Sequence, residues 1–374
     1  MASQNVTAAA LFDIQAQLTS LFAADATTPS RYERISQVST ANAMLQNQSA
    51  NVSPLLDAAG NCLGYRAYHL TGADSTLDYD GDGADLSLSC DITSGAGVQA
   101  VESIYDLNLR KVKTRTVNDG LCGNLFRDTA NRDLAQEAAT LVAENLFFGM
   151  QAIHNSLNLE FINFLDTNRT TVNNDTNLPT GIAYSGTTFM ITENTLSTQN
   201  PDTLTDIETV ALNNDMRSWF MVAGRKHFYN AFVNSQYKVL NDDQRSEARW
   251  GQTPLFFDVK LLDSTLSGAN SFVIDPGSYI FFNHTDPTLT NEPYQVEDNH
   301  WEFVVDDPVL MVRENGTMRP LRYTVRYQKV CNTVNKNRMR SEFEHHFQII
   351  MNSGLYAAPA AADGHSGILK FKSA

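Results

Sequence analysis

Between about Asn131 and Asn168, apolar residues recur at helical spacing without a break. Val142, Leu146, Met150, Ile153, Leu157, Phe161 and Phe164 step by three and four. Leu141, Phe148, Ala152, Leu159 and Ile162 widen the band. At 1.5 Å per residue this predicts a rod of roughly 55 Å. So long a stripe needs an equally long partner surface. The return strands around Tyr323 and Phe347 are the expected one, with Leu157 buried mid-stripe. Gly149 lies in the middle, where it costs about 1 kcal/mol against Ala, and a bend is expected there.

The segments on either side read differently. Leu11, Ile14, Leu18, Leu21 and Phe22 predict a first helix, and a second runs from about Ser30 to Gln48 on a thin stripe of Ile35, Val38, Met44 and Leu45. The first 50 residues hold too little apolar mass to be expected to bury themselves, and are read as an arm lying across something else. From about Asn61 to Val117, short strand-like runs (Tyr65 to Leu70, Leu86 to Cys90, Lys111 to Val117) alternate with Gly and Asp, as in a long polar hairpin.

After an Asn/Thr-rich linker, Asn168 to Pro179, the order is mixed. Helices are expected at Asp202 to Asn213 and Arg225 to Asn234. Strands are expected at Trp219 to Ala223, Leu255 to Leu261, Ser271 to Asp275 and Tyr279 to Phe282. Their short continuous apolar runs suit a sheet covered on both faces. Leu321 to Val330 and Met339 to Ile350 read as long strands with one apolar face.

Charge narrows the function classes. The formal net charge of −15, from 27 Lys and Arg against 42 Asp and Glu, opposes tight binding to nucleic acid. The four cysteines, Cys62, Cys90, Cys122 and Cys331, form no CxxC pair and suggest reduced thiols. Cys62 and Cys90 could still meet across a hairpin. No basic segment followed by an apolar run opens the chain, so no signal peptide is expected, and no stretch has the roughly 20 apolar residues of a spanning helix.

Chemistry-bearing patterns are sparse. Asp78, Asp80 and Asp82 with Gly83 match the first half of a calcium loop, but Ser89 stands where a bidentate Glu belongs. The plainer reading is an acidic turn at a hairpin tip. His345 and His346 fall on opposite faces of an expected strand and cannot share a metal. His69, His154, His227, His284, His300 and His365 have no ligand spacing. Asp306-Asp307 and Asp242-Asp243 sit at expected turns rather than as general acid/base pairs. No HExxH, GxSxG, phosphate loop or GxGxxG is present. No catalytic, cofactor or metal residue is therefore assigned. Lys111 and Lys113 lie in the expected hairpin without an identifiable acid to drive an isopeptide bond, so no covalent cross-link is expected.

The order of parts runs arm, polar hairpin, very long helix, compact mixed region, return strands. It resembles the Hong Kong 97-type major capsid proteins of tailed bacteriophages. Local stretches are similar too: Trp219 to Phe232, Trp250 to Val259 and Ser271 to Ile280. The resemblance runs from about residue 1 to 355. It implies an α+β fold with an N-terminal arm (1–58), an extended β-hairpin loop (59–128) and a peripheral domain with a spine helix (129–170). A compact mixed axial domain (171–318) follows, then return strands of the peripheral domain and a C-terminal tail (319–374).

The function implied is that of a shell subunit, not an enzyme. Such a protein assembles as pentamers and hexamers into an icosahedral shell around double-stranded DNA, in the host cytoplasm, and resides in the virion. Scaffolding, portal and decoration proteins are the implied partners, with no membrane, cofactor or metal. The short arm departs from members that begin with a cleaved coiled-coil scaffolding region. Two readings remain beside it: an encapsulin-like compartment, and a calcium-stabilised β-rich surface protein, which would need a signal peptide.

Overall fold

The computed structural model describes residues 14–27, 39–58, 62–71, 99–119, 134–191, 203–216, 218–224, 247–250, 253–262, 270–297, 300–332, 342–360 and 364–373. Its helices are α1 (Ile14–Thr27), α2 (Ser39–Asn47), α3 (Leu134–Thr167) and α4 (Thr203–Asn213). The expected helix Arg225 to Asn234 and the Asp78 to Asp85 loop lie outside the described residues, as does the strand Leu86 to Cys90.

Helix α3 is continuous for 34 residues, and Val142, Leu146, Met150, Ile153, Leu157 and Phe161 are all buried. Phe148 and Phe164 pack at the margin of the core, whereas Leu159, expected to widen the band, is 45% exposed. The expected bend at Gly149 is not seen as a break in the helix. A methyl group there would come within 2.2 Å of Ile349 Cδ1, so this glycine sets how closely the helix approaches the strands behind it.

Those strands form a six-stranded antiparallel sheet. In order across it run β12 (Tyr294–Glu297), β13 (His300–Glu314), β14 (Thr317–Asn332) and β15 (Glu342–Ala357). The far edge of β15 is shared by β4 (Leu109–Asp119) and β11 (Tyr279–His284). The expected strand Lys111 to Val117 is thus β4, with β15 as its neighbour. Alternation puts Trp301, Phe303, Val305, Tyr323, Val325, Tyr327, Phe347 and Ile349 into one core with the α3 stripe. Arg322, Arg326 and Gln328 face outward.

A seven-stranded mixed sheet lies beside it. Its order is β5 (Ile182–Ser185), β6 (Thr188–Ile191), β16 (Ile368–Ser373), β10 (Asn270–Ile274), β7 (Phe220–Ala223), β9 (Thr253–Phe257) and β8 (Glu247–Trp250). Met221, Val273, Leu369 and Phe371 pack with Leu204, Ile207 and Val210 of α4. The alternate residues Phe220, Val222, Phe272, Ile274 and Phe256 join the core of α2 and α3. Cover on both faces accounts for the short continuous apolar runs. The expected strand Leu255 to Leu261 is shorter, because the chain turns at Asp258 into a 3-10 turn, Val259–Leu262.

Sheet membership departs from the boundaries read in the sequence. Strands β11 and β13, expected within 171–318, pair in the long-strand sheet, and β16, expected within 319–374, sits inside the seven-stranded one.

The first segment is a further correction. Its described part buries itself on its own chain: Ile14, Leu18 and Phe22 of α1 and Ala41, Ala43, Met44 and Leu45 of α2 belong to the main core. Small side chains let α2 sit close, which offsets the thin stripe. Its first amide groups find side-chain acceptors far away in sequence. Thr40 N (3.3 Å) and Thr40 Oγ1 (2.5 Å) donate to Asp258 Oδ2, and Ala41 N donates to Asn158 Oδ1 at 2.9 Å. Asn158 Nδ2 donates to the same Asp258 oxygen at 2.8 Å. A carboxylate at a helix start is favourable in itself.

Candidate interaction surfaces

Among the described residues, the adjacent acids of β13 are engaged in structural contacts. Asp306-Asp307 is not at a turn but at an irregularity in β13, where the register with β14 shifts between Asp306 and Met311. Asp306 pairs with Arg322 at 3.0 Å. Asp307 is buried: its Oδ1 accepts from Val309 N and Leu310 N, both at 2.9 Å, and its Oδ2 accepts from Tyr323 OH at 2.7 Å and contacts His154 Nε2. Burial pushes the Asp307 carboxyl toward its neutral form, but the His154 charge and these hydrogen bonds outweigh it and hold it below the usual carboxylate range. Burial raises the Tyr323 hydroxyl well above its ordinary value.

The remaining histidines are dispersed. His345 is buried with Nδ1 2.8 Å from Tyr327 OH, while His346 meets Thr116 Oγ1 at 3.2 Å on the other face. His284 Nδ1 lies 2.7 Å from Tyr65 OH, and burial lowers its pKa. His300 lies 3.8 Å from Glu302. His365 accepts from Gly367 N at 3.0 Å. His227 and Asp242-Asp243 fall outside the described residues, as does the His69 side chain. Among the described residues, no three His, Cys, Asp or Glu side chains group closely enough to hold a metal ion, and no helix is long and apolar enough to cross a membrane. An acid that spacing did not reveal stands beside Lys111: Glu160 of α3, at 2.8 Å.

The surface is more informative. Strands β1 (Val52–Leu56), β2 (Cys62–Thr71) and β3 (Gln99–Tyr105) form a separate three-stranded sheet. It is anchored where Tyr65 stacks on Phe282 of β11 at 4.1 Å, within a small cluster of Val52, Ala67 and Ile280. Asn315, at the β13–β14 turn, grips Val52 through both of its backbone groups at 2.9 Å. Beyond this anchor, Leu63 and Ile104 are each 61% exposed on opposite faces of the sheet, and Leu56 and Leu107 are exposed as well. On the long-strand sheet, every residue of the edge strand β12 is exposed, Tyr294 and Val296 included. Sequence reading found the strand around Tyr65 but not these bare side chains, because alternation alone does not say which face lacks a cover.

No family model matches the chain. No curated protein matches it either. Solved structures do show likeness. One, titled Mycobacterium phage Che8, is 12% identical, over 86% of this chain and 84% of that one, with a TM-score of 0.37. The capsid of Ralstonia phage GP4 is 11% identical, over 82% and 83%, with a TM-score of 0.38. The asymmetric unit of the bacteriophage PhiM1 mature capsid is 8% identical, over 88% and 83%, with a TM-score of 0.35.

Proposed function

We propose that this chain is the major capsid protein of a tailed bacteriophage. On this reading it has the Hong Kong 97-type fold and assembles with copies of itself into an icosahedral shell around double-stranded DNA. The observation that carries the reading is the bare three-stranded sheet, held to the body at Tyr65 and Phe282 and exposing Leu56, Leu63, Ile104 and Leu107. A monomer gains nothing from displaying large apolar side chains on both faces of one small sheet, whereas a subunit that repeats in a lattice buries them on its neighbours. Many such contacts can each be modest.

The arrangement of the body is in keeping with this role. A 34-residue helix backed by three strands of 15 and 16 residues makes a stiff, elongated plate. The seven-stranded sheet with α4 is a second layer suited to contacts around a symmetry axis. The excess of negative charge fits a wall that encloses DNA without adhering to it.

Sedimentation velocity of the purified chain tests the proposal. The expected outcome is a species far larger than the 41.5 kDa chain, appearing cooperatively as concentration rises. A monomer at every concentration, with or without a coexpressed scaffolding protein, would sink it.

A further inference from the structure

A cleft of about 580 Å³ opens where five segments meet: the chain after α2, the start of β7, Pro254 of β9, the β10–β11 turn and the β13–β14 turn. Trp219, Phe220, Pro254 and Pro276 supply rigid apolar walls, with Ser49 and Arg313 at polar positions. Arg313 is exposed, and among the described residues its guanidinium makes no ion pair. Its neighbours differ. Arg319 pairs with Glu314 at 3.9 Å, Arg322 with Asp306 at 3.0 Å and Arg326 with Glu302 at 2.8 Å.

The backbone that carries the arginine is held in place. Gln48 Nε2 donates to its carbonyl at 2.5 Å, and Arg313 pairs with Met318 across the hairpin. A cation lining a cleft that contains Trp and Pro has the composition of an interface anchor, where Trp and Arg are enriched.

The geometry points to this cleft as a docking site for an acidic segment of a second copy of the chain, an inference that rests on the self-assembly proposed above. The occupant follows from charge. The chain carries 42 acidic residues against 27 basic ones. A neighbouring copy therefore presents carboxylates in excess, and an exposed Arg with no ion pair among the described residues is the complementary group. Double-stranded DNA, the other polyanion at hand, is disfavoured because it must approach a body of net charge −15.

The test compares Arg313→Glu with Arg313→Lys in the full chain. Because the side chain is exposed, both variants are expected to melt with the wild type. Arg313→Lys should assemble within about twofold of the wild-type threshold concentration, and Arg313→Glu should need at least about tenfold more. Assembly of Arg313→Glu at the wild-type threshold would overturn the inference while leaving self-assembly intact. So would wild-type retardation of duplex DNA that Arg313→Glu abolishes without changing assembly. Should the wild type not assemble, the capsid reading fails, and the cleft is then judged on the monomer with a hexaglutamate peptide. Binding that Arg313→Glu abolishes supports the docking site, and no binding refutes it.

Discussion

Gly149 of α3 faces Ile349 of β15 across a gap that has no room for a methyl group. The absence of a side chain at this position lets the helix and the sheet approach at the middle of the long core. In an open helix, alanine would be better by about 1 kcal/mol. Here Ile349 is fully buried, so its Cδ1 must shift within a packed core, and overpacking costs about 1–3 kcal/mol. Gly149→Ala is expected to lower the melting temperature despite its helix propensity. Gly354→Ala should cost more, since its methyl group would meet the Phe282 ring at 2.1 Å, and that ring is itself stacked on Tyr65. Differential scanning fluorimetry of both variants checks the order.

Leu157 and Leu159 make a matched pair on the same helix, one fully buried and the other 45% exposed. Leu157→Asp places a carboxylate in an apolar contact, at a cost of several kcal/mol against a total stability of about 5–15 kcal/mol. Soluble yield should collapse. Leu159→Asp should express and melt nearly as the wild type does. Equal tolerance at both sites would contradict the orientation of α3.

The α2 clasp carries a prediction opposite to the arm reading of the sequence. Deleting residues 2–50 removes Ala41, Ala43, Met44 and Leu45 from the main core and is expected to give insoluble protein rather than a foldable subunit. A gentler probe is Thr40→Val, which deletes one hydroxyl bond to Asp258 in a buried site. It should cost about 1–3 kcal/mol in urea unfolding. A soluble, cooperatively folded 51–374 fragment would contradict the clasp.

Asp307 links stability to pH. Its folded-state pKa is depressed, so the unfolded chain binds the proton more readily. The stabilisation is complete above the unfolded value near 3.9 and is lost as pH falls below it, through the lower folded value. Wild-type unfolding free energy should therefore drop as pH falls below about 4. Asp307→Asn should be less stable at pH 7 by about 1–3 kcal/mol, because the amide disturbs the buried hydrogen bonds that the carboxylate accepts from Tyr323 OH, Val309 N and Leu310 N, and its further loss in acid should be smaller. Parallel pH profiles for the two proteins would exclude Asp307 as the source.

How much of this was legible in the sequence depended on whether the signal was local. Helix α3 was, since each turn of the Val142 to Phe161 stripe repeats the same message. Strands β14 and β15 were legible from alternation, and β7, β10 and β11 from short apolar runs between turn residues. Strand β13 was missed because Asp306-Asp307-Pro308 reads as a turn. Arg322, His154 and Tyr323, none of them a sequence neighbour, help make two adjacent acids tolerable inside a strand. The burial of α2 was misread for the same reason: Thr40 and Gln48 look like surface residues until Asp258 and the backbone of Phe281 and Arg313 are beside them. Strand β16 is only six residues long, and its Lys370 suggests an edge. In the fold, that lysine pairs with Asp166 at 2.5 Å and leaves the strand in mid-sheet.

Electron microscopy of the expressed protein tests the central claim most directly. A lattice subunit that covers Leu63, Ile104 and the β12 edge with its neighbours should give closed polyhedral shells of uniform size, or open sheets and tubes when scaffolding is missing. Fields of dispersed single particles at high protein concentration, under conditions where the chain is demonstrably folded, would contradict the account.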